Sequence, residues 1–424
     1  MPTPKKHVII LGAGASITSG YPDANWLTVL MCDRQTFFNE FISRARAEGE
    51  QNPERWLENS TVRKYYDSFN QTVQLLRSGD FATMDELSNL VMGGQHSSEI
   101  LKLKKLMRFV FALNNPELTH WPKSDYRALI HALFERKSQL RDDISIISFN
   151  YDSYFEYRLL RALQARLKVR PVSAEEARRM SQAVTSGFLY PTDLEWIKTP
   201  GFCHLKLHGT CILPALIKTR LYWPPQNEES VDLTSERMFG FQALPRFACL
   251  SDSTFASQDP PVLLPWEIIS SDGKLLEQSE FETMAGDSWQ HKSLYPLFNG
   301  LWQRARNEIQ EADKISFVGL SIASFIEPEL RYLFSGKKNI IQAVVANPEN
   351  QKFKEYSDPF HSRTHCGKVL DVLYKICPSM CCNRSDSEGG QVFSERPFVG
   401  GSTSRDASEV TLRIDFADFI KREL

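Results

Sequence analysis

At 424 residues the chain exceeds the usual single-domain size, so one large core with inserted or appended smaller parts is expected. Hydrophobic residues make up 42% and charged residues 24%, and 50 Lys and Arg stand against 52 Asp and Glu, a balance that favours neither a polyanion nor a charged membrane as partner. No stretch approaches the roughly 20 apolar residues of a membrane span, and the eight cysteines follow no extracellular spacing scheme, which implies a reducing cytoplasm.

Two lysines precede the first apolar run, but that run is short and ends in glycine, which predicts a buried strand at His7–Leu11 rather than a secretory leader. From about Ala24 to Arg141 apolar residues recur with helical period, most clearly at Tyr126, Leu129, Ile130, Leu133 and Phe134, and a helical insertion is predicted. Within it Lys102, Lys104, Lys105 and Arg108, interleaved with Leu101, Leu103, Leu106 and Met107, read as the solvated face of a helix. A strand is expected at Ile144–Phe149. A second helical insertion follows from about Leu167 to Phe202, with Ser173 and Glu176 as a capping box.

Further strands are expected at Cys203–Leu207, Val262–Leu264, Lys314–Gly319 and Ile340–Ala346, each short, apolar or β-branched and bounded by turn residues. Leu213 to Pro260, rich in Pro, Ser and Asp, reads as a long loop. The Ser- and Gly-rich stretch from about Pro378 to Ala407 reads as a mobile loop, and Glu409–Phe419 as a last ordered element. Together these predict an α/β fold, a doubly wound Rossmann-like parallel sheet with large helical insertions. Residues 1–25 with 140–350 form its core, 26–139 a helical insertion and 351–424 a C-terminal extension.

Three short motifs fall at strand ends, the rim where open α/β sheets gather ligands. Gly12-Ala13-Gly14-Ala15-Ser16 lies between a predicted strand and a predicted helix, where glycines let backbone N–H groups approach a pyrophosphate. The dinucleotide fingerprint would place a third glycine where this chain has Ile17. Ser148-Phe149-Asn150-Tyr151-Asp152 ends the second strand. A carboxamide there can accept from a ribose hydroxyl or water and donate elsewhere without adding charge, with Asp152 orienting it; the plainer alternative is that Asp152 caps the next helix while Asn150 satisfies a turn. His208-Gly209 ends the third strand, and an imidazole there can take a proton at cellular pH. His204, four residues earlier, reads as a structural imidazole.

The string from Gly12 to Ser16, continued by Ser19-Gly20-Tyr21-Pro22-Asp23, resembles the cofactor loop of the sirtuins. Asn150-Tyr151-Asp152 is similar to their Asn-x-Asp element and His208-Gly209 to their catalytic His-Gly, in the family's order. Gly319-Leu320-Ser321 and Asn347 resemble the late Gly-Ser strand end and the adenine-side Asn. The resemblance implies NAD as substrate, held by Gly12, Ala13, Gly14, Ala15, Ser16, Tyr21, Pro22, Asp23, Gly319, Ser321 and Asn347. It gives Asn150, His208 and Asp152 the catalytic roles. The two Cys-x-x-Cys pairs of the deacylating members are missing, and about 58 residues separate Asn150 from His208. Both features resemble the sirtuin-like effectors of bacterial anti-phage defence, which deplete NAD in abortive infection.

That likeness implies an NAD glycohydrolase releasing nicotinamide and ADP-ribose, homo-oligomerisation through the helical insertion, and control by a separately encoded partner such as a HerA-type ATPase. Neither direct nucleic-acid contact nor a bound metal is expected; His361, His365, Cys366, Cys377, Cys381 and Cys382 offer zinc-type ligands at spacings that fit no standard pattern. The alternatives are a module that senses NAD or ADP-ribose without turnover, an NAD-dependent protein deacylase, and a nuclease, for which no paired carboxylates stand beside a basic groove.

Overall fold

The computed structural model of the protein describes residues 6–17, 21, 24–47, 51–58, 66–67, 72–74, 97–114, 125–136, 139–152, 154–156, 158–159, 162, 172–173, 201–211, 230–231, 262–284, 292–320, 326–337, 342–346, 381–385, 392–394, 407–413, 421 and 424. In chain order its elements begin with β1 (His7–Leu11), α1 (Gly14–Ile17), α2 (Ala24–Cys32), α3 (Arg34–Ala47), α4 (Glu54–Glu58), α5 (Ser97–Asn114) and α6 (Asp125–Ala132). Then come β2 (Phe134–Arg136), β3 (Gln139–Leu140), β4 (Ile144–Ser148), β5 (Val172–Ser173), β6 (Cys203–Lys206), β7 (Ser230–Val231), α7 (Gln278–Met284) and α8 (Tyr295–Glu311). The chain continues with β8 (Lys314–Val318), α9 (Glu327–Phe334), β9 (Gln342–Ala346), β10 (Cys381–Ser385), β11 (Val392–Ser394) and β12 (Ala407–Arg413).

Eight of these strands form one sheet in the order β11-β10-β12-β9-β8-β1-β4-β6, and only the β10–β11 pair is antiparallel. The fold is therefore α/β and Rossmann-like. Its sequence logic is visible in β1, where all five residues are buried because both faces are covered. Ile9 and Leu11 join Ile144 and Ile146 in one apolar layer with Leu27, Phe37, Leu103, Met107 and Leu129 of the helices between β1 and β4. Val8 and Ile10 join Ile147, Leu205, Ile315 and Phe317 in a second layer under Phe281, Leu301, Trp302 and Leu330 of α7, α8 and α9. Strand alternation thus assigns every second side chain to one helical layer and the others to the opposite layer.

Several expectations need correction. The helical run ends at Ala132, and Phe134 opens a β-hairpin with Leu140. Ser173 pairs with Ser230 in a small antiparallel sheet, and Glu176, the other half of the expected capping box, lies outside the described residues. Val262–Leu264 contributes an isolated bridge to Gly209 and no sheet strand; Pro261 and Pro265 flank it and cannot donate to a ladder. The stretch read as a mobile loop contains β10 and β11, where backbone pairing with β12 orders a polar sequence. Lys104 and Arg108 are buried rather than solvated, because α5 is enclosed on both sides, and Lys104 meets Glu267 at 2.7 Å. No helix among the described residues is long and apolar enough to cross a membrane.

His7, at the start of β1, shares a 2.7 Å hydrogen bond with Ser316 Oγ of β8. Burial, followed by the charges of Lys314 and Arg141, pushes its imidazole down to about 3. A basic group whose folded-state value is depressed stabilises the fold above its ordinary value of 6.5 and loses that contribution as pH falls toward 3. Unfolding free energies from denaturant titration should therefore decline across that window, and His7→Gln should flatten the decline.

Candidate functional site

The sheet reverses its winding between β1 and β8, so the loops leaving their carboxyl ends diverge at a switch point, the usual ligand crevice of such folds. Here the two loops touch. Gly12 N–H donates to Val318 O at 3.0 Å, and Gly14 N–H to Gly319 O at 2.9 Å. A Cβ on Gly12 would lie 2.5 Å from Leu320 Cα, and one on Gly14 2.8 Å from Gly319 Cα. Gly319 itself has φ +62, and a Cβ there would lie 2.2 Å from Ala15 N. The glycines read as a phosphate cradle therefore also have a purely internal reason: they let two backbone turns pack without side chains between them. Ala15 is buried beneath this contact and Ala13 is exposed above it.

Ser16 Oγ is the hub of the polar cluster beside that turn. It donates to Asp152 Oδ2 at 2.8 Å and lies 3.1 Å from Asn150 Nδ2 and 3.0 Å from the Tyr126 hydroxyl. Its one proton goes to the carboxylate, so Asn150 and Tyr126 donate to its lone pairs and the hydroxyl is saturated. Asp152 Oδ1 accepts the Tyr154 N–H at 3.0 Å. Asp152 thus caps the following turn, as the plainer reading has it, and holds Ser16 as well. Asn150 is only 5% exposed, and among the described residues its Oδ1 has no hydrogen-bond partner. An orphaned buried acceptor costs about 1–3 kcal/mol, so it wants a donor supplied from outside the cluster.

Beneath the 150–152 segment, Lys206 Nζ donates to the Asp152 carbonyl and to Glu156 Oε1, the latter at 2.9 Å. Burial pushes the carboxyls of Asp152 and Glu156 upward; Lys206 opposes the shift on both, and Glu156 adds to that on Asp152. Burial, then the charge of Asp152, raises the Tyr126 hydroxyl well above its ordinary range. His204 lies buried with its ring 5.1 Å from Phe155 and Nε2 3.6 Å from Glu156 Oε1. Sequence reading missed Lys206, Glu156 and Tyr126 as members of this assembly. The first had a signal, since alternation along β6 places Lys206 and His204 on one buried face; the hydroxyl of Tyr126 had none.

His208 takes a different neighbourhood. The chain turns at Leu207–His208, and Gly209 follows with φ 68. The imidazole, 2% exposed, faces both oxygens of Glu329 on α9, at 2.9 and 3.1 Å from Nε2. It stacks on Tyr151 at 5.5 Å and meets the edge of Phe149 at 5.2 Å. Ser16, Asn150, Asp152 and Tyr126 are thus brought together on the α6 side of the rim, whereas His208 is directed to the α8–α9 side. The Asn150 carboxamide and the His208 imidazole therefore have different partners, and Tyr151, next to Asn150 in the chain and stacked on the imidazole, connects the two neighbourhoods.

Tyr21 is a core residue, its ring 6.1 Å from Phe111 and 5.9 Å from Tyr154. Pro22, Asp23, Ser321 and Asn347 lie outside the described residues, as do His361, His365, Cys366 and Cys377. Among the described residues no group of three or more His, Cys, Asp or Glu could hold a metal ion. No family model matches the chain, and no curated protein matches it.

Substituting Gly319→Ala combines an unfavourable positive φ with a steric clash against Ala15. It should lower stability by about 3 kcal/mol, read as a depressed midpoint in calorimetry, whereas Ala13→Ser at the exposed position should leave the midpoint within about 1 °C.

Proposed function

We propose that this chain binds NAD at the carboxyl rim of its sheet and hydrolyses the nicotinamide–ribose bond. The observation that carries the reading is Asn150 Oδ1, which has no partner among the described residues and is buried at the end of β4 beside Ser16, next to the glycine turn. A ribose hydroxyl or a water is the kind of donor it lacks. Its surroundings suit that task. Ser16 and Tyr126 fix the amide nitrogen, and Asp152 fixes Ser16, so the oxygen is aimed without cost at the moment of binding.

In the reaction the C–N bond to nicotinamide breaks with its electron pair going to the ring nitrogen, water bonds to the anomeric carbon, and one water proton is released. Nicotinamide leaves neutral, so the chain need not supply an acid. Asn150 would hold the sugar or the water, and His208 would accept the proton. The order of Gly12–Ser16, Asn150–Asp152 and His208-Gly209 along the chain supports this assignment. The missing Cys-x-x-Cys pairs and the long insertions support an NAD-depleting anti-phage effector over a deacylase. Self-association through the α2–α6 helices and a HerA-type ATPase partner belong to the same proposal.

A second reading, a module that binds NAD or ADP-ribose without turnover, is favoured by one observation: His208 is engaged by Glu329 away from the Asn150 cluster. Incubating the protein with NAD, alone and with a HerA-type ATPase, separates the two. Hydrolysis predicts nicotinamide and ADP-ribose in equal amounts, with Asn150→Ala and His208→Ala each slowing turnover by roughly 10²-fold or more. Calorimetric binding of ADP-ribose without any nicotinamide release would establish the second reading, and neither binding nor release would dismiss both.

A further inference from the structure

We infer that Glu329 is the positioning residue for His208, holding the imidazole by Nε2 so that its proton-accepting lone pair lies at Nδ1. The inference rests on the hydrolytic reading for its consequence in catalysis, but the contact itself stands on geometry.

Glu329 is 1% exposed on the first turns of α9, and among the described residues no other side chain is hydrogen-bonded to its carboxylate. Both oxygens lie within 3.1 Å of one ring nitrogen. A buried carboxylate demands a proton donor or a positive charge, and the imidazole is the group placed to supply either. Accepting from Nε2–H fixes the tautomer, and the carboxylate charge then favours the imidazolium that forms when Nδ1 takes a proton.

Three further features hold the pair in register. Leu330 and Leu333 anchor α9 in the apolar layer, and Tyr332 packs edge-on against Trp302 at 6.1 Å. Tyr151 stacks on the imidazole, so the ring's orientation is tied to the segment that carries Asn150 and Asp152. The His208 carbonyl accepts from Leu263 N–H at 3.0 Å, which pins the backbone of the turn. The nearby Glu327 does not share this role; it pairs with Arg331 on the outer side of α9 at 2.6 Å.

The test uses the full chain and Glu329→Gln, which keeps the shape and an accepting oxygen but removes the charge, with Glu329→Asp as the conservative variant. Histidine-labelled protein, with the His208 signal assigned by its loss in His208→Gln, reports the tautomer by nitrogen NMR. Nicotinamide release from NAD, measured across pH, reports turnover.

The expected result is an Nε2-protonated His208 in the parent chain and a mixed tautomer in Glu329→Gln. Turnover should fall at least 10-fold with KM changed less than threefold, the acid limb of the profile should move to lower pH, and Glu329→Asp should recover part of the loss. An unchanged tautomer would overturn the inference. So would faster release in Glu329→Gln, which would make Glu329 a restraint on His208. A tautomer that depends on Glu329 in a chain that never releases nicotinamide would remove the hydrolytic reading and leave the orienting contact standing.

Discussion

The contact between the β1 and β8 turns governs the rest of this molecule. Gly12 and Gly14 meet Gly319 at distances that no side chain could share, and two hydrogen bonds lock the approach. Because the turns are fused, α1 begins where its second turn residue leaves off, and Ser16 lands within reach of Asp152 and Asn150 from the neighbouring strand. A looser contact would shift Ser16 and leave Asp152 Oδ2 without its donor. The same glycines that suggest a ligand are thus required by the fold first, and any ligand approaches a rim already shaped by that requirement.

Above this contact, the polar groups are arranged by deficit and excess. Lys206 donates to the Glu156 carboxylate and to the backbone carbonyl of Asp152, so one ammonium is shared by two residues with buried carboxyls. Burial favours their neutral forms and the lysine favours the charged ones. Tyr126 closes the cluster from α6, so a segment inserted between two sheet strands takes part in fixing the carboxamide of Asn150. The result is a saturated Ser16 hydroxyl, an Asp152 carboxylate with both oxygens engaged and, among the described residues, two oxygens without a donor, Asn150 Oδ1 and Glu156 Oε2.

The parallel sheet was legible because each central strand is a short apolar run buried on both faces, as in His7–Leu11 and Ile144–Ser148. Their carboxyl ends carried the motifs, so Ser16, Asn150 and Asp152 could be grouped before any fold was known. What failed was non-local. Lys104 read as solvated because Glu267 lies 163 positions away, and the strands β10 and β11 were hidden because their partners, rather than their own apolarity, order them. His208 follows β6 on a turn at Leu207–His208, so the alternation that puts His204 and Lys206 on one face does not extend to it. Glu329 and Tyr126 had no sequence signature, since a carboxylate on a helix and a tyrosine in an apolar stripe are ordinary in both places.

The Lys104–Glu267 pair has a consequence for the architecture. It joins α5, within the segment between β1 and β4, to the loop whose Leu263 N–H holds the His208 carbonyl. Glu267 also accepts the Leu264 N–H, and the intervening Trp266 is held at φ 76, a conformation that bulky residues reach only when their surroundings impose it. The inserted helices are therefore not a detachable ornament. Any shortened version of the chain that discarded them would take away the buried cation that Glu267 meets beside the bend at Trp266.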